Sequence, residues 1–303
     1  MPGSVHGNAG TILEHVILVE VVRYVCNTSV LSSDSWVHYV DTHAMHPLNE
    51  PIKEEGLFRD LWHREIPAEL LLLSPFFRIM SDAKESNPRL YPSHAVFAAR
   101  SAQMERRRLW ASLFEIRQEK WPEIQDLLDN PSIIAGLGMD VIQGTLGCGT
   151  FRDEALWTQA NNAMAAAGVQ PAARVVYCDP MSYALADELP RFDRMNFHDL
   201  VFLRTQLVDA VPTFFILFTN EQDRARFAAR AEIYADQYAE SFLPIPQSDH
   251  SWCMFRANNS AVFLGAVGFM PTVLDEIRRN VCDSLEVARL HFRRDTAIDC
   301  VPV

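Results

Sequence analysis

Glycine is scarce, 12 residues in a chain of 303, and a phosphate cradle built on backbone needs clustered glycines that let main chain approach the ligand. Only Gly136-Leu137-Gly138 and Gly147-Cys148-Gly149 come near, and neither completes GxGxxG after a convincing strand. Cysteine pairs are missing too: Cys26, Cys148, Cys178, Cys253, Cys282 and Cys300 include no CxxC. Several lie in apolar runs and read as buried, reduced thiols. No apolar run reaches the roughly 18–20 residues of a membrane span. Met1 to Gly10 carry no cationic-then-apolar leader pattern. These absences lead to the expectation of a soluble, cytoplasmic protein. Cations are outnumbered, 27 Lys and Arg against 39 Asp and Glu for a net charge of −12, which argues against non-specific binding to polyanions.

What is present is an ordinary globular balance, 49% apolar and 22% charged. Two apolar runs end abruptly in an acid followed by small residues or proline: Trp36-Val37-His38-Tyr39-Val40-Asp41 and Arg174-Val175-Val176-Tyr177-Cys178-Asp179-Pro180. A buried parallel strand reads this way when its carboxyl end reaches a ligand crevice. Arg108 to Glu115 is a third such run. The other strands are expected at Met139–Ile142, at Pro212–Phe218, and in a hairpin of Trp252–Arg256 and Ala261–Gly268 turning at Asn258-Asn259. Helices are expected over Thr11–Val25, within 50–84, and over Ala95–Met104, Trp121–Leu128, Asp153–Ala167, Phe197–Val208, Glu221–Ile233 and Pro271–Val281. Strands alternating with helices imply an α/β fold, a doubly wound, mostly parallel Rossmann-like sheet closed by an antiparallel C-terminal hairpin. The expected division is one Rossmann-like domain of residues 1–49 and 88–303 with a small helical insertion at 50–87.

Asp41, Glu115 and Asp179 are the main chemical signal. In a dinucleotide-type crevice an acid at a strand end accepts ribose hydroxyls, a role that suits Glu115. Strand-end acids also cap helices or face water. His38, His43 and His46 cluster near the first strand end. His38 and His43 point to opposite faces of a regular strand, no cysteine or acid spacing supports zinc, and no metal centre is assigned. Arg100, Arg106, Arg107 and Arg108 form a strip suited either to gripping phosphates or to a solvated helix end.

In succession these segments resemble the large-subunit type of ribosomal-RNA adenine-N6 methyltransferases, a class I S-adenosylmethionine (SAM) fold with a helical insertion. The matching residues are His6-Gly7-Asn8-Ala9-Gly10 running to Leu13-Glu14-His15, then Asp41-Thr42-His43-Ala44 and Pro67-Ala68-Glu69-Leu70. They continue with Tyr91-Pro92-Ser93-His94, Leu113-Phe114-Glu115-Ile116, Trp121-Pro122 and Asp179-Pro180-Met181-Ser182. They run from about residue 6 to about 283; each is short, and the specificity lies in their order. The resemblance implies SAM as cofactor, bound through His15, Asp41, Thr42, His43, Ala44, Ser93 and Glu115. It implies methyl transfer to an amine, with adenine N6 of a nucleic acid as the family's target. Asp179 and the Pro180 carbonyl would hold the amine, and Tyr183 would stack on the base. The chain departs from the family pattern at four places. Met45-His46-Pro47 replaces glycines after the first strand, and Glu14 stands where the family has Lys. No acid lies among Gln143, Gly144 and Thr145, and Asp-Pro-Met-Ser replaces Asp-Pro-Pro-Tyr. The departures leave two further readings open: a binding or scaffold protein without catalysis, and a different group transfer on a small molecule or modified base.

Overall fold

A computed structural model of the chain describes residues 9–28, 35–44, 48–49, 64–86, 91–130, 139, 142–180, 182–183, 194–207, 210–220, 224–243, 245–257, 260–291 and 298–299. Its central feature is an eight-stranded sheet. In chain order the strands are β1 (Trp36–Asp41), β2 (Arg108–Glu115), β3 (Gln143–Cys148), β4 (Pro171–Cys178), β5 (Thr213–Asn220), β6 (His250–Ala257), β7 (Ser260–Val267) and β8 (Ile298–Asp299). Across the sheet they run β3-β2-β1-β4-β5-β7-β6-β8. The first five are mutually parallel, and β7, β6 and β8 add antiparallel pairings at the far side. The expected fold class is therefore the observed one: a doubly wound sheet whose order reverses between β1 and β4, ended by the hairpin.

Alternation along the strands explains why both faces are covered. Val37, Tyr39, Val175, Tyr177, Phe214 and Ile216 point into one apolar core, while Val40, Val176, Cys178, Phe215 and Leu217 point into the other. The first core is closed by helices α1 (Ala9–Asn27), α2 (Ala68–Leu73), α3 (Pro75–Ser86), α4 (His94–Met104), α5 (Trp121–Asp129) and, at the chain's far end, α9 (Thr272–His291). Trp157, Leu200, Leu203, Ala231 and Tyr238, carried by α6 (Glu154–Ala166), α7 (Phe197–Gln206) and α8 (Arg224–Glu240), close the second. Helix α1 is apolar on nearly every side, and Thr11 to Val22 are all buried, the condition of a helix enclosed by others. Arg23 at its end donates to the Leu73 carbonyl at 3.1 Å, tying it to the tip of α2.

Several boundaries differ from the sequence reading. The edge strand is Gln143–Cys148, not Met139–Ile142, whose ends Met139 and Ile142 lie outside any strand. Its glycines are packing devices: a Cβ on Gly144 would sit 2.1 Å from the Ala111 carbonyl oxygen, and Gly147 lies within the strand, not in a phosphate loop. The last helix runs ten residues past Val281, to His291. Cys26, Cys178 and Cys253 are free and buried as expected, Cys148 is free and exposed, and Cys282 departs from the expectation by being disulfide-bonded. Gly136–Gly138, the Asn258-Asn259 turn and Gly56–Trp62 lie outside the described residues. Among the described residues no helix is long and apolar enough to cross a membrane.

Candidate functional site

The parallel register puts Asp41 opposite Leu113 on one side and Tyr177 on the other. The three acids of the sequence reading thus sit at the carboxyl ends of the adjacent strands β2, β1 and β4, at the switch point where such sheets hold ligands. Beyond Asp41 the chain stays braced between its neighbours. The Thr42 amide donates to the Tyr177 carbonyl (3.1 Å), and the Ala44 amide donates to the Phe114 carbonyl (2.9 Å).

Asp41 and Asp179 meet through a residue to which the sequence reading gave no role. His94 opens α4, with its Nδ1 3.7 Å from Asp41 Oδ2 and its Nε2 3.4 Å from Asp179 Oδ2. Asp41 also accepts from the Tyr39 hydroxyl and the His43 amide, both at 3.1 Å. From below, Tyr177 donates its hydroxyl to Glu14 Oε2 at 3.0 Å. His15 Nδ1 lies 2.6 Å from the Tyr91 hydroxyl, and the His15 ring packs 4.9 Å from that of His94 and 4.6 Å from that of Phe97. Tyr39 and Tyr177 could have been found from spacing: each stands two residues before an acid and so shares its face. His94 follows directly on the Tyr-Pro-Ser turn, but spacing does not say where a helix-opening side chain points.

Three carboxyl groups, Glu14, Asp41 and Asp179, thus share one largely dry cluster. Among the described residues none of them is hydrogen-bonded by a lysine or arginine. Burial raises Glu14 well above the usual carboxylate range, Asp179 adds to that, and the Tyr177 hydrogen bond works against it. Asp179 is raised to about 6, chiefly by burial; His94 and Arg117 oppose the rise and Asp41 adds to it. Its side chain keeps 18% of its surface exposed, so the cluster reaches solvent there. Burial likewise keeps Tyr39, Tyr91 and Tyr177 protonated.

The remaining expected ligands are placed as follows. Glu115 is buried, and its carboxylate is already held: Arg117 donates Nε to one oxygen (2.9 Å) and Nη2 to the other (2.6 Å), with its amide adding a third bond (2.8 Å). Thr42 Oγ1 lies 2.8 Å from His43 Nδ1. The His43 ring faces Phe151, and burial lowers its pKa to about 4. Ser93 precedes α4 without capping it, and its hydroxyl is buried with no hydrogen-bond partner among the described residues. Pro180 is buried. The side chain of Tyr183 lies outside the described residues, as do Met45, His46 and Pro47.

Two groupings read from sequence lie apart from this cluster. His38 lies away from His43, bonded to Ser112 Oγ (2.9 Å) and Arg174 Nε (3.2 Å). The arginine strip lies elsewhere: Arg100 pairs with Asp82 at 2.9 Å, Arg107 donates to the Cys26 carbonyl, and Arg108 covers Trp36. Because β2 begins at Arg108, Arg106 to Arg108 stand at the amino edge, the full length of a strand from the acids. A cavity of about 410 Å³ on that edge, lined by Trp36, Gln103, Arg107, Arg108 and Gln143, is likewise remote from them.

No family model matches the chain, and no curated protein matches it. Among solved structures, a Legionella pneumophila str. Philadelphia 1 protein of family model DUF519 is similar with a TM-score of 0.58. The two are 14% identical, over 97% of this chain and 98% of that one. At that identity the likeness speaks for the fold alone.

Proposed function

We propose that the protein binds an adenosyl cofactor at the carboxyl edge of the sheet and transfers its methyl group to an amine, an adenine N6 by the sequence resemblance. The observation that supports this reading is the junction of Asp41 and Asp179 through His94 at the β1/β4 switch point, where doubly wound sheets take nucleotide ligands. In this reading Asp41 to Ala44 line the cofactor side. Asp179 and the Pro180 carbonyl accept hydrogen bonds from the attacking amine, leaving its lone pair aimed at the sulfonium methyl. SAM, when bound, would supply the methyl for an in-line displacement in which the nitrogen–carbon bond forms as the sulfur–carbon bond breaks, with S-adenosylhomocysteine leaving and the amine proton going to solvent. The protein's share is positioning.

A second reading is a binding or scaffold protein without catalysis, and one observation favours it. Both oxygens of Glu115 are occupied by Arg117, so ribose hydroxyls must displace an ion pair already in place. Calorimetry with SAM and S-adenosylhomocysteine tests both readings at once. The expected result is saturable heat with each ligand, with Asp179→Asn leaving binding nearly unchanged and abolishing transfer of labelled methyl to RNA, DNA or small amines. Absence of binding at millimolar ligand, or binding without transfer by the unaltered protein, ends the first reading and leaves the second.

A further inference from the structure

Beneath the crevice, Glu14, His15 and His94 each bring one donor atom to a common point, the three atoms lying within 4.8 Å of one another and all three residues buried. We propose that these residues form a binding site for a single divalent transition cation of the zinc class. The site goes beyond the cofactor reading but shares His94 and Asp179 with it, and cobalt uptake is read without the adenosyl cofactor.

Four observations carry it. The donor set is two imidazole nitrogens and one carboxylate oxygen, which suits zinc, cobalt or iron and not the all-oxygen shells of magnesium and calcium. Its partners are those that orient ligands: the Tyr91 hydroxyl on His15 Nδ1, the Tyr177 hydroxyl on Glu14 Oε2, and the Asp179 carboxylate on His94 Nε2. With Nε2 turned to Asp179, His94 offers Nδ1, a buried nitrogen without a hydrogen-bond partner among the described residues and 3.7 Å from Asp41 Oδ2, so a cation bound there takes the place of the His94–Asp41 contact. The charge also fits, since a divalent cation balances carboxylates that have no direct lysine or arginine partner.

The geometry needs a modest contraction. Glu14 Oε1 and His15 Nε2 stand 3.9 Å apart, whereas ligands around a tetrahedral cation at about 2.0–2.1 Å lie roughly 3.3 Å from one another. The three donor atoms lie within 4.8 Å of one another, so binding requires closing the widest pair by up to roughly 1.5 Å. Three protein ligands leave a fourth position open, the pattern of zinc sites that bind water or a reacting group, and the exposed flank of Asp179 is the route in from solvent.

Cobalt(II) is the test, because its visible absorption reports coordination directly. The chelator-treated full-length protein should take up one equivalent with new visible bands, and zinc should displace it. Glu14→Gln and His94→Gln should each lose the bands. Tyr91→Phe should weaken binding about 10-fold to 100-fold. His291→Gln, at an exposed histidine paired with Glu69, should change nothing. Circular dichroism on each variant separates ligand loss from unfolding, and Glu14→Gln, closest in shape, is the decisive one. No stoichiometric cobalt uptake, or unchanged bands in a folded Glu14→Gln, overturns the site; loss of the bands in His291→Gln moves it elsewhere and overturns it equally.

Discussion

His43 shows how one side chain in this site couples charge to folding. Burial lowers its pKa from the ordinary 6.5 to about 4, with Asp41 pulling the other way and Arg152 assisting. The folded protein therefore holds the imidazole neutral, while the unfolded chain protonates it near 6.5. Protons favour the unfolded state in that window: the stabilisation is complete above pH 6.5 and drains away as pH falls toward 4. The ceiling is about 3 kcal/mol, at 1.36 kcal/mol per pKa unit. The raised carboxyls of Asp179 and Glu14 run the other way over the same window, so the His43 share is read by difference: in urea unfolding across pH 4 to 7 the unaltered protein should lose more stability on acidification than His43→Gln, and equal pH dependence in the two would falsify the assignment. At this scale sequence reading reached Asp41 and Asp179 because an acid ending an apolar run is visible in one dimension. It could not reach the occupation of Glu115, since Arg117 lies only two residues on and gives no periodic signal.

Helix α7 shows what elements draw from local chemistry. Asn196 accepts from the Asp199 amide, and Asp199 accepts from the Asn196 amide, a reciprocal cap. Asp199 also takes both donors of Arg152, at 2.5 and 2.7 Å, fastening α7 to the turn before α6. Asn196→Ala should cost about 1 kcal/mol. Asp199→Ala should cost more, on the order of 3 kcal/mol, because it also removes the buried carboxylate that accepts both bonds from Arg152. Denaturant midpoints check the order, and equal losses would mean that the ion pair contributes nothing. Most elements were legible because their apolar spacing is strong, as in Thr213–Asn220 and Arg108–Glu115. The edge strand was displaced by several residues because Gly144 and Gly147 carry no side chain to mark a period; their reason is the nearness of β2, which no single strand records.

For the whole molecule, the two cores are unequal in what holds them. One of them wraps α1 between α4, α9 and the sheet, with Leu13, Val16, Ile17, Val21 and Val22 wholly buried. The amides of α1 should therefore exchange with solvent only when the entire fold opens, and their protection should match the global unfolding free energy. Hydrogen-exchange mass spectrometry measures this; faster exchange in α1 than in β1 and β4 would show that the helix detaches alone. The same enclosure helps explain how Glu14 and His15, neighbours on one turn, are both held out of water. The strap leaving β1 has a consequence of its own. Pinned to β4 by Thr42 and to β2 by Ala44, residues 42–44 cannot swing aside as a flap. A guest arriving over Asp41 must be admitted by rotating side chains around a fixed doorway, so affinity there is set by what those side chains give up and not by the cost of moving main chain.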